Sequence, residues 1–336
     1  MWKIQNDINK KVLDCFKNGL IEPLFRDIIC YKRNKGKYCT FIKYISSSPS
    51  INDERKSLYL TVLKRSKDKV TLSEHIEMFS THSLSYIKKQ YKLYTIQNQK
   101  LNEKKYNVKQ YSIDPTLKII FVNFFYEKFF VDPKIWNGIN STHKDFSRIK
   151  FHINFCEENN LSVCPYCDID TLHNIGNREI EHFLPKSEYP FLAMHPNNLI
   201  SSCDSCNKYE GKKTEYYIPI VSPYNYQIGD LIKFKVNDIQ EMVEIEKEKI
   251  IELDNYITLL NLYERYKNKE VYKTVEGRAK SLFKIFHDNE INGSEITSIT
   301  FQSYLNYRRE PMTFVLKSVY ENMKEYSQYK IAIKKS

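Results

Sequence analysis

Glycine is scarce in this chain, eight residues in 336, and tryptophan is scarcer at two. So few breakers, set among long apolar-periodic runs, argue against a fold built from tight turns and for a mainly helical protein. No apolar run approaches membrane-spanning length, because KIIFVNFFYEKFFV is broken by Glu127 and Lys128. A secretory signal is also missing: MWKIQNDINKKVLDCF carries charges where an apolar core would be needed. The expectation is a cytoplasmic protein with no membrane partner. Acidic charge is in deficit, 41 Asp and Glu against 52 Lys and Arg, for a net +11. That excess attracts polyanions such as DNA, although a lysine-rich surface alone would look the same.

Aromatic residues are plentiful, with 26 Tyr and 19 Phe. A chain this long and this apolar can bury two or three cores, which excludes disorder over most of its length. Residues 1–145 read as a helical N-terminal region. Within it DPTLKIIFVNFFYEKFFV opens on Asp-Pro, a cap followed by a first-turn proline, whereas QNQKLNEKKYNVKQYS (97–112) reads as an exposed linker. Residues 146–226 turn to short segments rich in Cys, His, Asn and Pro. Residues 227–336 read as a short hairpin, LIKFKV and MVEIEKE, followed by more helix. The expected fold class is mainly α with a small α+β insert between two helical regions.

Eight cysteines in a reducing compartment are better read as thiols or metal ligands than as disulfides. Four of them form two CxxC pairs, Cys164 with Cys167 and Cys203 with Cys206. Each CxxC turn aims two thiolates at one ion, and two turns complete a tetrahedral four-cysteine zinc site. The pairs are separated by roughly 35 residues, long for a simple ribbon, so a small folded insert is expected between them. Four thiolates leave no open position, so such a Zn2+ would be structural and would supply folding energy. Chance pairing or a redox CxxC is the alternative.

Between the pairs lies REIEHFLPKSEYPFLAMHPNNLISSCDSCN, which reads as strand, loop, strand and the start of a helix. Phosphodiester hydrolysis needs a water nucleophile, a base for its proton and a cation on the phosphate. His182 suits the base, since histidine titrates near neutrality. Glu181 and Asn207 carry hard oxygen donors suited to Mg2+ or Mn2+. Neighbouring strand residues point to opposite faces, so Glu181 and His182 share a site only at a strand end or a bulge.

EIEHFLPKSEYP, Asn198-Leu199 and CDSCN resemble the HNH (ββα-metal) endonucleases of the zinc-knuckle subtype over roughly residues 160–215. The resemblance implies a zinc-stabilised ββα-metal unit and a DNA-cleaving phosphodiester hydrolase. It makes His182 the general base, Glu181 and Asn207 ligands of a catalytic divalent metal, and Asn198 the residue that ties the loop and orients the base. Two departures stand out. The acid is commonly Asp rather than Glu, and Glu210 and Gly211 stand where a lysine often follows. Lys186, Lys208, Lys212 and Lys213 are expected phosphate contacts as a group. The wording of LPKSEYPFLAMHPNNLI is also similar to HNH subunits of Septu-type anti-phage systems, which implies a defence role beside an ABC-class ATPase. A non-catalytic zinc-stabilised nucleic-acid-binding or adaptor module and an RNA-cleaving effector are the competing functions. His182 next to Glu181 is the feature a pure binder would not need.

Overall fold

Several helix starts in this chain are written by short polar side chains. Thr40, Asn52, Thr71 and Ser83 each accept a backbone N–H three residues on, opening helices Phe41–Ser47, Asp53–Leu63, Leu72–Phe79 and Leu84–Asn102. Thr71 and Glu74 complete a reciprocal capping box. The Asp114 carboxylate accepts the Thr116 N–H at 2.9 Å and Pro115 takes the first turn, as the sequence indicates. The computed structural model of the chain describes residues 1–139, 143, 145–172, 178–207, 218–246, 249–291 and 308–321. These are mainly helical, with three two-stranded sheets among them. No described helix is long and apolar enough to cross a membrane.

The chain divides into two units, each drawn from separated segments. One comprises Asn6–Phe155 and Ile180–Ile200, the other Met1–Gln5, Cys156–Glu179 and Ser201–Ser336. The first is the helical unit. Its helix Pro115–Ile119 runs on into a wide π-type stretch, Ile120–Lys128. The wider turn spreads consecutive aromatics around the axis, and Phe121, Phe124, Phe125 and Tyr126 are all buried. Phe121 gathers a ring cluster, with centroids 5.9 Å from Phe25, 5.6 Å from Tyr94 and 4.9 Å from Phe191. Such offset and edge contacts add to the burial of large apolar area. Residues 97–112 are not the exposed linker their polarity suggests. Helix Leu84–Asn102 covers the first part, Tyr106 and Val108 are buried, and the buried Gln97 amide donates to the Lys109 carbonyl at 3.3 Å.

Two short strands, β1 (Ser66–Lys67) and β2 (Val70–Thr71), form a small antiparallel ladder in this unit. Strands β3 (Arg178–His182) and β4 (Leu199–Cys203) pair with each other, and the division between units passes through both. In the second unit β5 (Phe234–Asn237) and β6 (Met242–Ile245) form the expected antiparallel hairpin, with Lys235 opposite Glu244. Helices Leu262–Tyr266, Lys269–Ile291 and Thr313–Glu321 pack on that hairpin.

Candidate metal centre and acid-base loop

Cys164-Pro-Tyr-Cys167 closes as a tight turn. The Asp168 N–H donates to the Cys164 carbonyl at 3.0 Å, the Cys164 N–H donates to the Asp170 carbonyl at 2.8 Å, and Asp168 takes a left-handed φ of 57°. Asp tolerates that conformation better than most side chains. Cys203 ends β4 and Cys206 lies on the short helix Asp204–Asn207. Together the four buried cysteines place their sulfurs within 4.8 Å of one another. Cys164 and Cys206 are 3.8 Å apart and Cys167 and Cys203 are 3.9 Å apart. A tetrahedral ion with metal–sulfur bonds of about 2.3 Å requires sulfurs about 3.8 Å apart. The donor set and the spacing therefore fit zinc.

The surroundings fit a thiolate cluster too. Backbone N–H groups of Ile169 and Cys203 donate to the sulfurs of Cys167 and Cys164, each at 3.4 Å. Arg265 donates to Cys206 Sγ at 3.0 Å and to the Asp170 carboxylate at 3.0 Å. A dication among four thiolates leaves excess negative charge, and the guanidinium offsets it. Asp168 is fully buried: its carboxyl accepts the Trp2 indole N–H at 2.9 Å and the Phe314 N–H at 3.2 Å. Burial pushes that carboxyl up to about 7 against the pull of those donors. Sequence spacing did not reveal Arg265, which lies 59 residues beyond Cys206, or the anchoring role of Asp168.

The helical unit carries the candidate acid-base residues. Glu181 and His182 end β3 and are 7% and 5% exposed, so both are withdrawn from solvent. His182 Nε2 lies 3.0 Å from the Ala193 carbonyl oxygen. A carbonyl only accepts, so Nε2 carries the proton and, in the neutral ring, Nδ1 carries the lone pair. The imidazole packs edge-on against Tyr126, ring centroids 4.4 Å apart, and the Tyr126 hydroxyl donates to the Ile180 carbonyl at 3.1 Å. Nothing in the apolar run around Tyr126 marks it beforehand as the neighbour of the histidine.

Asn198 is fully buried and holds the loop after β3 to itself. Its amide donates to the carbonyls of Leu184 and Leu192, at 3.0 and 3.1 Å, and its oxygen accepts the Leu184 N–H at 2.7 Å. The helical unit then clamps the loop from outside. Tyr106 donates to the Asn197 carbonyl at 2.8 Å, the Asn197 amide donates to the Leu101 carbonyl at 2.8 Å, and Tyr189 donates to the Val108 carbonyl at 3.1 Å. With those of Asn198, these bonds pair the loop carbonyls of Leu184, Leu192 and Asn197, and the carbonyls of Leu101 and Val108 outside it.

His195, in the same loop, is spoken for. Its Nδ1 accepts the Asn197 N–H at 3.2 Å and its Nε2 donates to Asn102 Oδ1 at 3.1 Å. Burial, helped by the nearby Lys17, drives its pKa from 6.5 down to about 3. The folded protein therefore keeps this ring neutral while the unfolded chain takes up a proton below pH 6.5. Stability from this group is complete above pH 6.5 and is expected to fall by about 1.4 kcal/mol per unit as pH drops toward 3. Urea unfolding across that window should show a slope shallower by one proton in His195→Gln; an unchanged slope would remove the assignment.

Asn207 is exposed at the end of its helix and belongs to the other unit from Glu181 and His182, and Lys186 is half-buried near the start of the loop. Lys208, Lys212 and Lys213 lie outside the described residues. A cleft of about 340 Å³ in the helical unit, lined by Asn18, Ser50, Arg55 and Gly138, includes none of the motif residues. No family model and no solved structure matches the chain. A stretch of 60 residues is 38% identical to the Septu protein PtuB of Bacillus thuringiensis, covering 18% of this chain and 23% of that protein. The chain thus matches under a quarter of that relative's length, over a part that makes the two proteins similar there.

Proposed function

We propose that this protein is a metal-dependent HNH endonuclease that hydrolyses DNA, working as an effector of anti-phage defence. The observation that carries the reading is the His182 hydrogen bond to Ala193, which leaves Nδ1 as the basic nitrogen of an oriented imidazole. In this mechanism water attacks phosphorus in line with the leaving oxygen, and His182 takes the proton from that water. Asn198 keeps the loop closed so that the Ala193 carbonyl stays in place behind the ring. A divalent cation, Mg2+ or Mn2+, would neutralise charge on the phosphate and the leaving oxygen. Glu181 is the carboxylate proposed to hold it, and the motif gives Asn207 as the second ligand. The four cysteines would hold a structural Zn2+ that takes no part in the reaction.

Similarity to a Septu protein supports the defence role, and the resemblance to Septu-type HNH subunits makes an ABC-class ATPase the expected partner. The test is plasmid nicking by the full chain, with Mg2+ or Mn2+ and with excess EDTA. Nicking that needs the added cation is the expected result. Binding without cleavage under all conditions would leave a zinc-stabilised binding module, and cleavage of RNA alone would overturn the choice of DNA.

A further inference from the structure

His182 is backed by Tyr126, and Tyr126 carries two cations. Arg148 Cζ lies 4.8 Å from the Tyr126 ring centroid and 5.9 Å from that of Phe130, while Lys186 Nζ lies 4.7 Å from the Tyr126 centroid. With Tyr126 itself 4.4 Å from the imidazole, both cations fall within roughly 10 Å of the proposed base, inside the reach of adjacent phosphates on one strand. The ordinary partner of a half-buried arginine is a carboxylate. Among the described residues none lies within ion-pair distance of Arg148. Its Nε is buried and has no hydrogen-bond partner among the described residues. Lys186 differs, because Glu127 Oε1 stands 3.6 Å from it and offsets part of its charge. The uncompensated cation on the Tyr126 ring is therefore Arg148.

The tyrosine ring holds the guanidinium in place, and the two terminal Nη groups, rather than the buried Nε, are the donors suited to two oxygens of a phosphate. We propose that Arg148, assisted by Lys186, grips the non-bridging oxygens of a nucleic-acid phosphate beside His182. The proposal deepens the nuclease reading and rests on it for the class of substrate. Arg148 lies ahead of both cysteine pairs and outside the motif that suggests the activity, so motif reading alone does not reach it.

The test uses the full chain carrying His182→Gln, which slows cleavage by about 10²-fold or more, with a short fluorescein-labelled DNA duplex in excess EDTA. Adding Arg148→Gln should weaken binding roughly tenfold at low salt and reduce the slope of log Kd against log salt by about one. Arg148→Lys should keep the slope while losing part of the affinity, a pattern that a merely structural role would not produce. Lys186→Gln should have a smaller effect. Unchanged affinity and slope in Arg148→Gln, or equal losses in the Gln and Lys variants, would overturn the proposal. The two readings fail separately. Binding that depends on Arg148 in a chain that cuts nothing sinks the nuclease and keeps the phosphate grip. A wild-type chain that cuts, with Arg148→Gln in the otherwise native protein binding and cutting equally well, does the reverse.

Discussion

Cys203→Ser protein is expected to lose its metal and, with it, the folded state of the unit that holds the cluster. Zinc bound by four thiolates contributes on the order of 10 kcal/mol or more to folding in small metal domains. Ordinary domains are stable by only about 5–15 kcal/mol, so removing one ligand can tip the balance outright. The surroundings sharpen the expectation, because Arg265 would be left beside a cluster whose negative charge has dropped. Cys39, which is exposed and outside the cluster, supplies the control. Its serine variant should change stability by less than about 0.5 kcal/mol. Elemental analysis should find one zinc per wild-type chain, and proteolysis should cut Cys203→Ser within the second unit. Well-folded wild-type protein containing no metal would end this account.

His182→Gln is expected to lower cleavage by about 10²-fold or more while leaving zinc content and thermal stability near those of the wild type. Glutamine keeps an N–H for the Ala193 carbonyl but has no nitrogen that accepts a proton near neutral pH. The comparison with His182→Ala separates chemistry from packing. Alanine loses the base and also empties the space against Tyr126, so it should be destabilised as well as inactive. Initial rates of plasmid nicking at saturating Mn2+, beside thermal melts of the same preparations, read both effects. A glutamine variant that nicks at the wild-type rate would show that another group takes the proton.

The cysteine cluster and the β3–β4 pair were readable in the sequence because their geometry is local. A CxxC turn fixes two ligands within four residues, and the REIEH and LISSC segments carry their strand character within five each. What escaped is what depends on distant residues. Arg265 meets Cys206 only through the fold of the C-terminal helices, and no spacing encodes that approach. The stretch 97–112 was misleading for a different reason. Polarity signals solvent only when the polar groups have no partner inside, and here Gln97, Asn102 and Tyr106 all hydrogen-bond within the protein, the last two to His195 and Asn197 of the loop. Tyr126 and Arg148 were hidden likewise, one in an apolar run and one at a helix start, until folding set Tyr126 against the histidine and Arg148 over Tyr126.

The enclosure of the loop after β3 bears on engineering. Phe191, at its centre, sits among Phe25, Tyr94 and Phe121, and the carbonyls of Asn197 in the loop and Ile180 in β3 are taken up by Tyr106 and Tyr126. All five of those partners come from residues far upstream of the motif. The stretch with the recognisable residues is therefore not a portable cassette. Moved to a new scaffold by itself, it would bring a large bare aromatic ring and several orphaned carbonyls, and its histidine would have no fixed backing. A working transplant would have to carry the helices Glu22–Arg33, Leu84–Asn102 and the run through Lys128 with it.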